Sequence, residues 1–188
     1  MSTTSAPFGL QPIYHPSGSV RPQAFTLTDS YGTQILQNQP VKIDGTTGTL
    51  VPAAIGDAFI GVFQGCEYTD ADGRRRVTNK WIASNYGTNI IAYATSDPYI
   101  VYQIQTNATM AVTAIGGQYN TTAITAGSTT TGLSALMLDT ATTNPSSANN
   151  QMRVVGITPS ADNNWDDSFV IVQVEISKHQ FVATIVGF

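Results

Sequence analysis

The sequence predicts an all-β fold, an antiparallel β-sandwich or jelly-roll-like body, on three observations. Charged residues are only 11% of the 188-residue chain, against roughly 25% in an average soluble domain. Ser, Thr, Asn and Gln take their place, so the chain favours extended backbone and lacks the Lys and Glu of helix surfaces. Short period-two apolar runs recur between turn residues, and no window holds a helical stripe over three turns.

The elements follow in order. Residues 1–24 hold four of the nine prolines, Pro7, Pro12, Pro16 and Pro22, and no periodic apolar face. Proline fixes φ and pushes its predecessor into extended geometry, so this stretch predicts an extended N-terminal arm. Residues 25–188 then form one domain without internal repeat or composition break. Val41-Lys42-Ile43, the turn pair Asp44-Gly45 and Gly48–Val51 read as a hairpin. Residues 58–82 predict a longer one: Phe59 through Tyr68, a turn at Asp70-Ala71-Asp72-Gly73, and Arg74 through Trp81. Gly61 and Gly65 inside its first strand mark a bulge or a close backbone approach. In Tyr99–Gln105, Ile100, Tyr102 and Ile104 share one face, with Val101, Gln103 and Gln105 on the other. In Phe169–Ile176, Val170, Val172, Val174 and Ile176 face one way and Gln173 and Glu175 the other. Leu133–Leu138, Met152–Ile157 and Phe181–Phe188 are further strands, and Thr140–Asn150 is loop.

Composition bounds the function. A chain of this length buries about 70% of its unfolded surface and needs no disulfide or metal to fold. The net charge is −4 with two histidines and one cysteine. That balance carries no electrostatic footprint for nucleic acid. The lone Cys66 suits a reducing cytoplasm, Met1–Ser5 shows no secretory leader, and no apolar run reaches the ~20 residues of a membrane span. The expectation is a soluble chain with no nucleic-acid and no membrane partner.

Chemistry-bearing motifs are sparse. His15 and His179 stand apart from any nucleophile motif and read as surface or interface side chains. Cys66, at an alternating strand position, reads as a small buried hydrophobe. Asp70-Ala71-Asp72-Gly73 and Asp162–Asp167 are oxygen-rich, but neither completes a twelve-residue calcium loop, and Asp and Asn are ordinary turn residues. No cofactor and no catalytic site is expected. Two carboxylates converging in a cleft would be required for a glycan-cleaving enzyme. Arg74 and Arg76 point to one side of their strand and are candidate interface residues. Trp81, Trp165, Tyr86, Tyr99 and Tyr119 divide between a core role and a sugar-binding platform, the core being favoured, with Trp81 and Phe63 inside it.

Several stretches together resemble a known family. They are Ala6-Pro7-Phe8-Gly9-Leu10-Gln11-Pro12, His15-Pro16-Ser17-Gly18, Gly56–Gly65, Thr69-Asp70, Gly73-Arg74-Arg75, Lys80-Trp81, Thr129–Ser134, Arg153–Gly156 and Ala161–Trp165. Their order along nearly the whole chain is similar to that of capsid cement, or decoration, proteins of podovirus-like tailed phages, including cyanophages. The resemblance implies a β-sandwich homotrimer on the outer surface of the phage head, made in the bacterial cytoplasm and clamping neighbouring major capsid protein subunits. On that basis Pro7, Phe8, Leu10, Pro12, Tyr14, His15 and Arg21 are expected in a capsid-contact arm, whose removal should leave the fold intact. The rival expectation is a head-fibre or spike module that binds a host-surface glycan.

Overall fold

A computed structural model describes residues 2–83, 86–124, 126–142 and 150–182. The described chain is all-β, with one single-turn 3-10 segment at Val112–Ala114. The strands are β1 (Gln11–Tyr14), β2 (Pro22–Thr26), β3 (Pro40–Ile43), β4 (Leu50–Pro52), β5 (Gly61–Thr69), β6 (Arg75–Thr78) and β7 (Thr88–Thr95). They continue with β8 (Val101–Gln105), β9 (Gln118–Tyr119), β10 (Gly127–Ser128), β11 (Leu133–Ser134), β12 (Met152–Ile157) and β13 (Ile171–Ile176). One antiparallel sheet runs β1-β8-β13-β12-β9, and the other runs β2-β7-β5-β3-β4 with β6 also on β5. β10 and β11 make a separate small ribbon. The architecture is β-sandwich-like.

Alternation builds the core. Val172, Val174 and Ile176 of β13 are buried, while Gln173 and Glu175 remain partly exposed. Tyr102 and Ile104 of β8 and Ile100 just before it join them, with Met152 and Val154 from β12, in the first hydrophobic cluster. Val62 of β5 belongs to that cluster, whereas its neighbour Phe63 belongs to a second one with Val41, Cys66, Trp81, Ala92 and Ala94. Successive side chains of a strand point to opposite faces, so β5 supplies both. Trp81 and Phe63 are fully buried. The Trp81 indole N–H donates to the Tyr31 carbonyl at 2.7 Å, and its ring meets Tyr68 edge-on at 5.2 Å.

The long hairpin forms as its turn chemistry dictates. Thr69 pairs with Arg75 and Cys66 with Thr78. Asp70 closes the turn by accepting the N–H groups of Asp72 and Arg74 at 3.1 and 2.9 Å. Gly61 lies where the chain touches its neighbour: a Cβ there would sit 1.7 Å from the Thr95 carbonyl oxygen. Gly65 falls at a register shift between β5 and β7.

Four expectations are corrected. The loop after β3 is longer than Asp44-Gly45. The Asp44 carboxylate holds the Thr46 N–H and the Thr47 hydroxyl, and the left-handed residue is Gly48, at φ +69°. Of Leu133–Leu138 only Leu133–Ser134 is strand; Leu136 and Leu138 are buried in irregular backbone. Phe181 and Val182 lie in a turn and bend, and the rest of the expected terminal strand lies outside the described residues, as does 143–149 of the expected loop. Residues 1–24 were expected as an extended arm, whereas residues 2–26 are woven into the body. Ser2 exchanges backbone hydrogen bonds with Asp162 and Phe169. Gln105 grips Ala6 and Thr4, β1 pairs with β8, and β2 pairs with β7. Proline reads as a break, yet it is tolerated on edge strands, which need no N–H on their outer side.

Candidate functional site

The segment that carries most of the candidate contacts forms a rim. β1 is the outer strand of one sheet and β2 the outer strand of the other. Their partners, β8 and β7, are also consecutive in the chain, so both sheets end along the same flank. Residues 11–26 run down that flank and present two unpaired strand edges. The rim is pinned at the point where the chain crosses between sheets. His15 Nε2 lies 3.0 Å from an Asp97 carboxylate oxygen, bridging the β1–β2 and β7–β8 connections. A carboxylate accepts, so Nε2 carries the hydrogen and Nδ1 is the acceptor. Nδ1 takes the Ser17 N–H at 3.0 Å and the Ser17 hydroxyl at 2.6 Å. Ser, His and Asp thus meet, in an arrangement that locks a turn: the ring nitrogen facing the hydroxyl is also occupied by the backbone N–H of the same serine.

The seven candidate residues divide. Tyr14 is 46% exposed, and Arg21 is exposed with no side-chain partner among the described residues. Pro7, Phe8, Pro12 and His15 are half-buried, and the Phe8 carbonyl accepts the Asn38 side-chain amide at 3.0 Å. Leu10 is corrected: it is fully buried in the first hydrophobic cluster and unavailable to a partner. Its apolar side chain completes the core that the rim covers.

Arg74 and Arg76 lie on the exposed arm of the long hairpin. Arg76 Nε binds an Asp70 oxygen at 2.8 Å, and this hydrogen bond, followed by that from the Arg74 N–H, lowers the Asp70 pKa. Arg75, facing the other way, lies 3.2 Å from Glu67 and donates to the Asn89 carbonyl at 2.8 Å. Arg74 has no side-chain partner among the described residues. Val77 beside them is 80% exposed.

The remaining candidates do not converge. His179 is corrected from surface to core. Its Nε2–H donates to the Ile60 carbonyl at 2.8 Å and Nδ1 accepts the Phe181 N–H at 3.1 Å, which fixes a neutral ring. Burial pushes its pKa down, outweighing the Ile60 and Ser96 carbonyls and Asp97. Cys66 is buried, and desolvation pushes its thiol up to about 12. Asp70 and Asp167 spend their carboxylate oxygens on turn N–H groups, Asp167 on Asn164 and on the Ser2 hydroxyl. Among the described residues, no three His, Cys, Asp or Glu side chains gather as a metal site. Trp81 and Tyr119 are in the core, and Trp165 packs against it. Tyr86 and Tyr99 are exposed, but they flank opposite ends of β7, roughly 20 Å apart by strand rise. No shared aromatic platform assembles.

Fold and rim together define a β-sandwich-like protein whose open feature is a pair of strand edges. The chain matches no family model, no curated protein and no solved structure in any of the three comparisons made. Sequence reading missed Asp97 and Gln105, which fasten the N-terminal segment across 82 and 99 residues. No local pattern encodes contacts of that separation.

Proposed function

We propose that this chain is a virion structural protein, a capsid cement or decoration protein. It binds the outer surface of a tailed-phage head as a homotrimer and stabilises contacts between major capsid protein subunits. The observation that carries the reading is the rim: one continuous segment, 11–26, supplies the outer strand of both sheets on one flank. Unpaired edges bond to a neighbouring chain through backbone groups, with little charge to desolvate. The segment also bears Gln11-Pro12, the end of the first opening motif of the family resemblance, and the whole of the second, His15-Pro16-Ser17-Gly18. Pro12 and Pro22 space the edges so that they do not pair indiscriminately, while Tyr14 and Arg21 supply the residue types favoured at interfaces. The non-enzymatic part of the reading rests on the Ser17–His15–Asp97 cluster acting as a turn lock.

The test is the copy number of this chain relative to the major capsid protein in purified virions, by quantitative mass spectrometry. A near-equimolar ratio is expected for a protein that coats the shell. A ratio far below that marks a fibre or spike and overturns the assignment. Light scattering of the purified chain checks the trimer, and a monomer at virion-relevant concentration removes that part of the proposal.

A further inference from the structure

A surface cleft of about 540 Å³ opens where β2 runs out against the start of β7. Its polar lining comes from Asp29, Arg75 and Asn89 with the hydroxyls of Thr26, Thr28 and Thr49, and the partly exposed Ile91 adds aliphatic surface over the buried Leu27. Three features distinguish it from the polar clefts around Asn107 and around His15, whose carboxylates, Asp139 and Asp97, are already bonded to neighbouring side chains.

The first is backbone strain. Asn89 holds φ +50°, in the left-handed region, and sits at a register shift between β5 and β7. A non-glycine residue is uncommon in that region, and bulges of this kind re-aim a side chain. The second is preorganisation. Arg75 is held from two sides, by Glu67 at 3.2 Å and by the Asn89 carbonyl at 2.8 Å, and Glu67 is itself fixed by the Tyr93 hydroxyl at 3.0 Å. The third is vacancy of the right kind. The Asp29 carboxylate and the Asn89 side-chain amide have no partner among the described residues.

From these we infer that the cleft is a binding site for a neutral saccharide, one hexopyranose unit of a glycan. A carboxylate, an amide and a guanidinium are planar groups that bond two vicinal hydroxyls at once. The partly exposed Ile91 side chain meets the C–H face of the ring. The signs decide the charge of the ligand. Asp29 opposes an anion, and the Arg75 charge is already compensated by Glu67, so neither an acidic sugar nor a cation suits the site. Its volume is that of ordinary small-ligand clefts. The site lies apart from the Tyr14–Arg21 rim and does not depend on the capsid reading.

Saturation-transfer NMR on the full chain tests it, with the methyl glycosides of glucose, galactose, mannose, N-acetylglucosamine and rhamnose as probes and N-acetylneuraminic acid as the charged comparator. At least one neutral glycoside should receive saturation, and its affinity should fall at least tenfold in Asp29→Ala and in Asn89→Gly. Asn89→Gly removes the amide and relieves the strain, so its melting temperature should stay level or rise, which separates lost binding from lost folding. No transfer to any neutral probe overturns the assignment, as does transfer that survives both variants or that goes to N-acetylneuraminic acid alone. Virion occupancy of Asp29→Ala should remain at the wild-type level, so failure of this site and failure of the capsid reading are distinguishable.

Discussion

His179 shows how far a single side chain departs from the expectation set by its type. A lone histidine apart from any nucleophile motif reads as a surface or interface side chain, yet this one is buried as a neutral ring bonded at both nitrogens, to the Ile60 carbonyl and the Phe181 N–H. Protonation would add a hydrogen at Nδ1, directed at the Phe181 N–H, inside a site that already disfavours charge. Its folded pKa is lowered mainly by burial, so the unfolded chain takes up the proton first. Stability contributed by this group is therefore complete above the unfolded value of about 6.5 and is lost as pH falls through the folded pKa. The melting temperature should decline from pH 7 toward pH 5, and His179→Gln, which keeps a donor for Ile60 without titrating, should flatten that decline. An unchanged slope in the variant would assign the pH dependence elsewhere. The carboxylates with lowered pKa, Asp57 and Asp70 among them, act at lower pH. No sequence pattern foretold this burial, since one residue has no periodicity to read.

At the scale of elements, legibility followed the length of the repeat. β13 and β8 were readable because five or six alternating residues fix both strand and face. The β5–β6 hairpin was readable because Asp70 and Gly73 carry turn chemistry that acts locally. β9, β10 and β11 are two residues each and leave no period to detect. β1 and β2 were misread for a different reason: proline signals a break everywhere except at a sheet edge, and nothing local tells an edge from a tail. The same holds for the cleft, where Asn89 and Arg75 are 14 residues apart and meet only through β5. The corrected role of the N-terminal segment changes the outcome of truncation. Deleting residues 1–22 removes β1, uncovers the edge of β8 and takes Leu10 from the core. Loss of a buried leucine alone costs about 2–5 kcal/mol, so thermal unfolding should become weakly cooperative or shift far below that of the full chain. A truncated chain that melts like the full one would restore the detachable arm. Tyr14→Ala and Arg21→Glu alter exposed rim side chains and are the variants suited to probing contact while keeping the fold.

The whole molecule spends nearly all its positive charge internally. Of eight Lys and Arg residues, Lys42, Arg75, Arg76 and Arg153 are in ion pairs. Lys80 and Lys178 bind backbone carbonyls. Only Arg21 and Arg74 lack such a partner among the described residues. A protein that met its neighbours through charge would leave cations free, steer long-range encounters and release its partner in salt. This one offers hydroxyls, amides and strand edges, whose bonding is short-ranged and weakly screened. On the capsid-cement proposal, attachment through the rim should then change by less than about threefold in dissociation rate between low and high ionic strength, because Arg21 is the one Lys, Arg, Asp or Glu in residues 11–26. Sedimentation of virions washed in rising salt, followed by quantifying the retained chain, reads this directly. Release that steepens with salt would shift the contact to the arginine hairpin, and Arg74→Glu would then abolish it where Tyr14→Ala does not. Retention through the series, with loss on Tyr14→Ala, would place the contact on the rim and make backbone edges and buried aromatic surface its source.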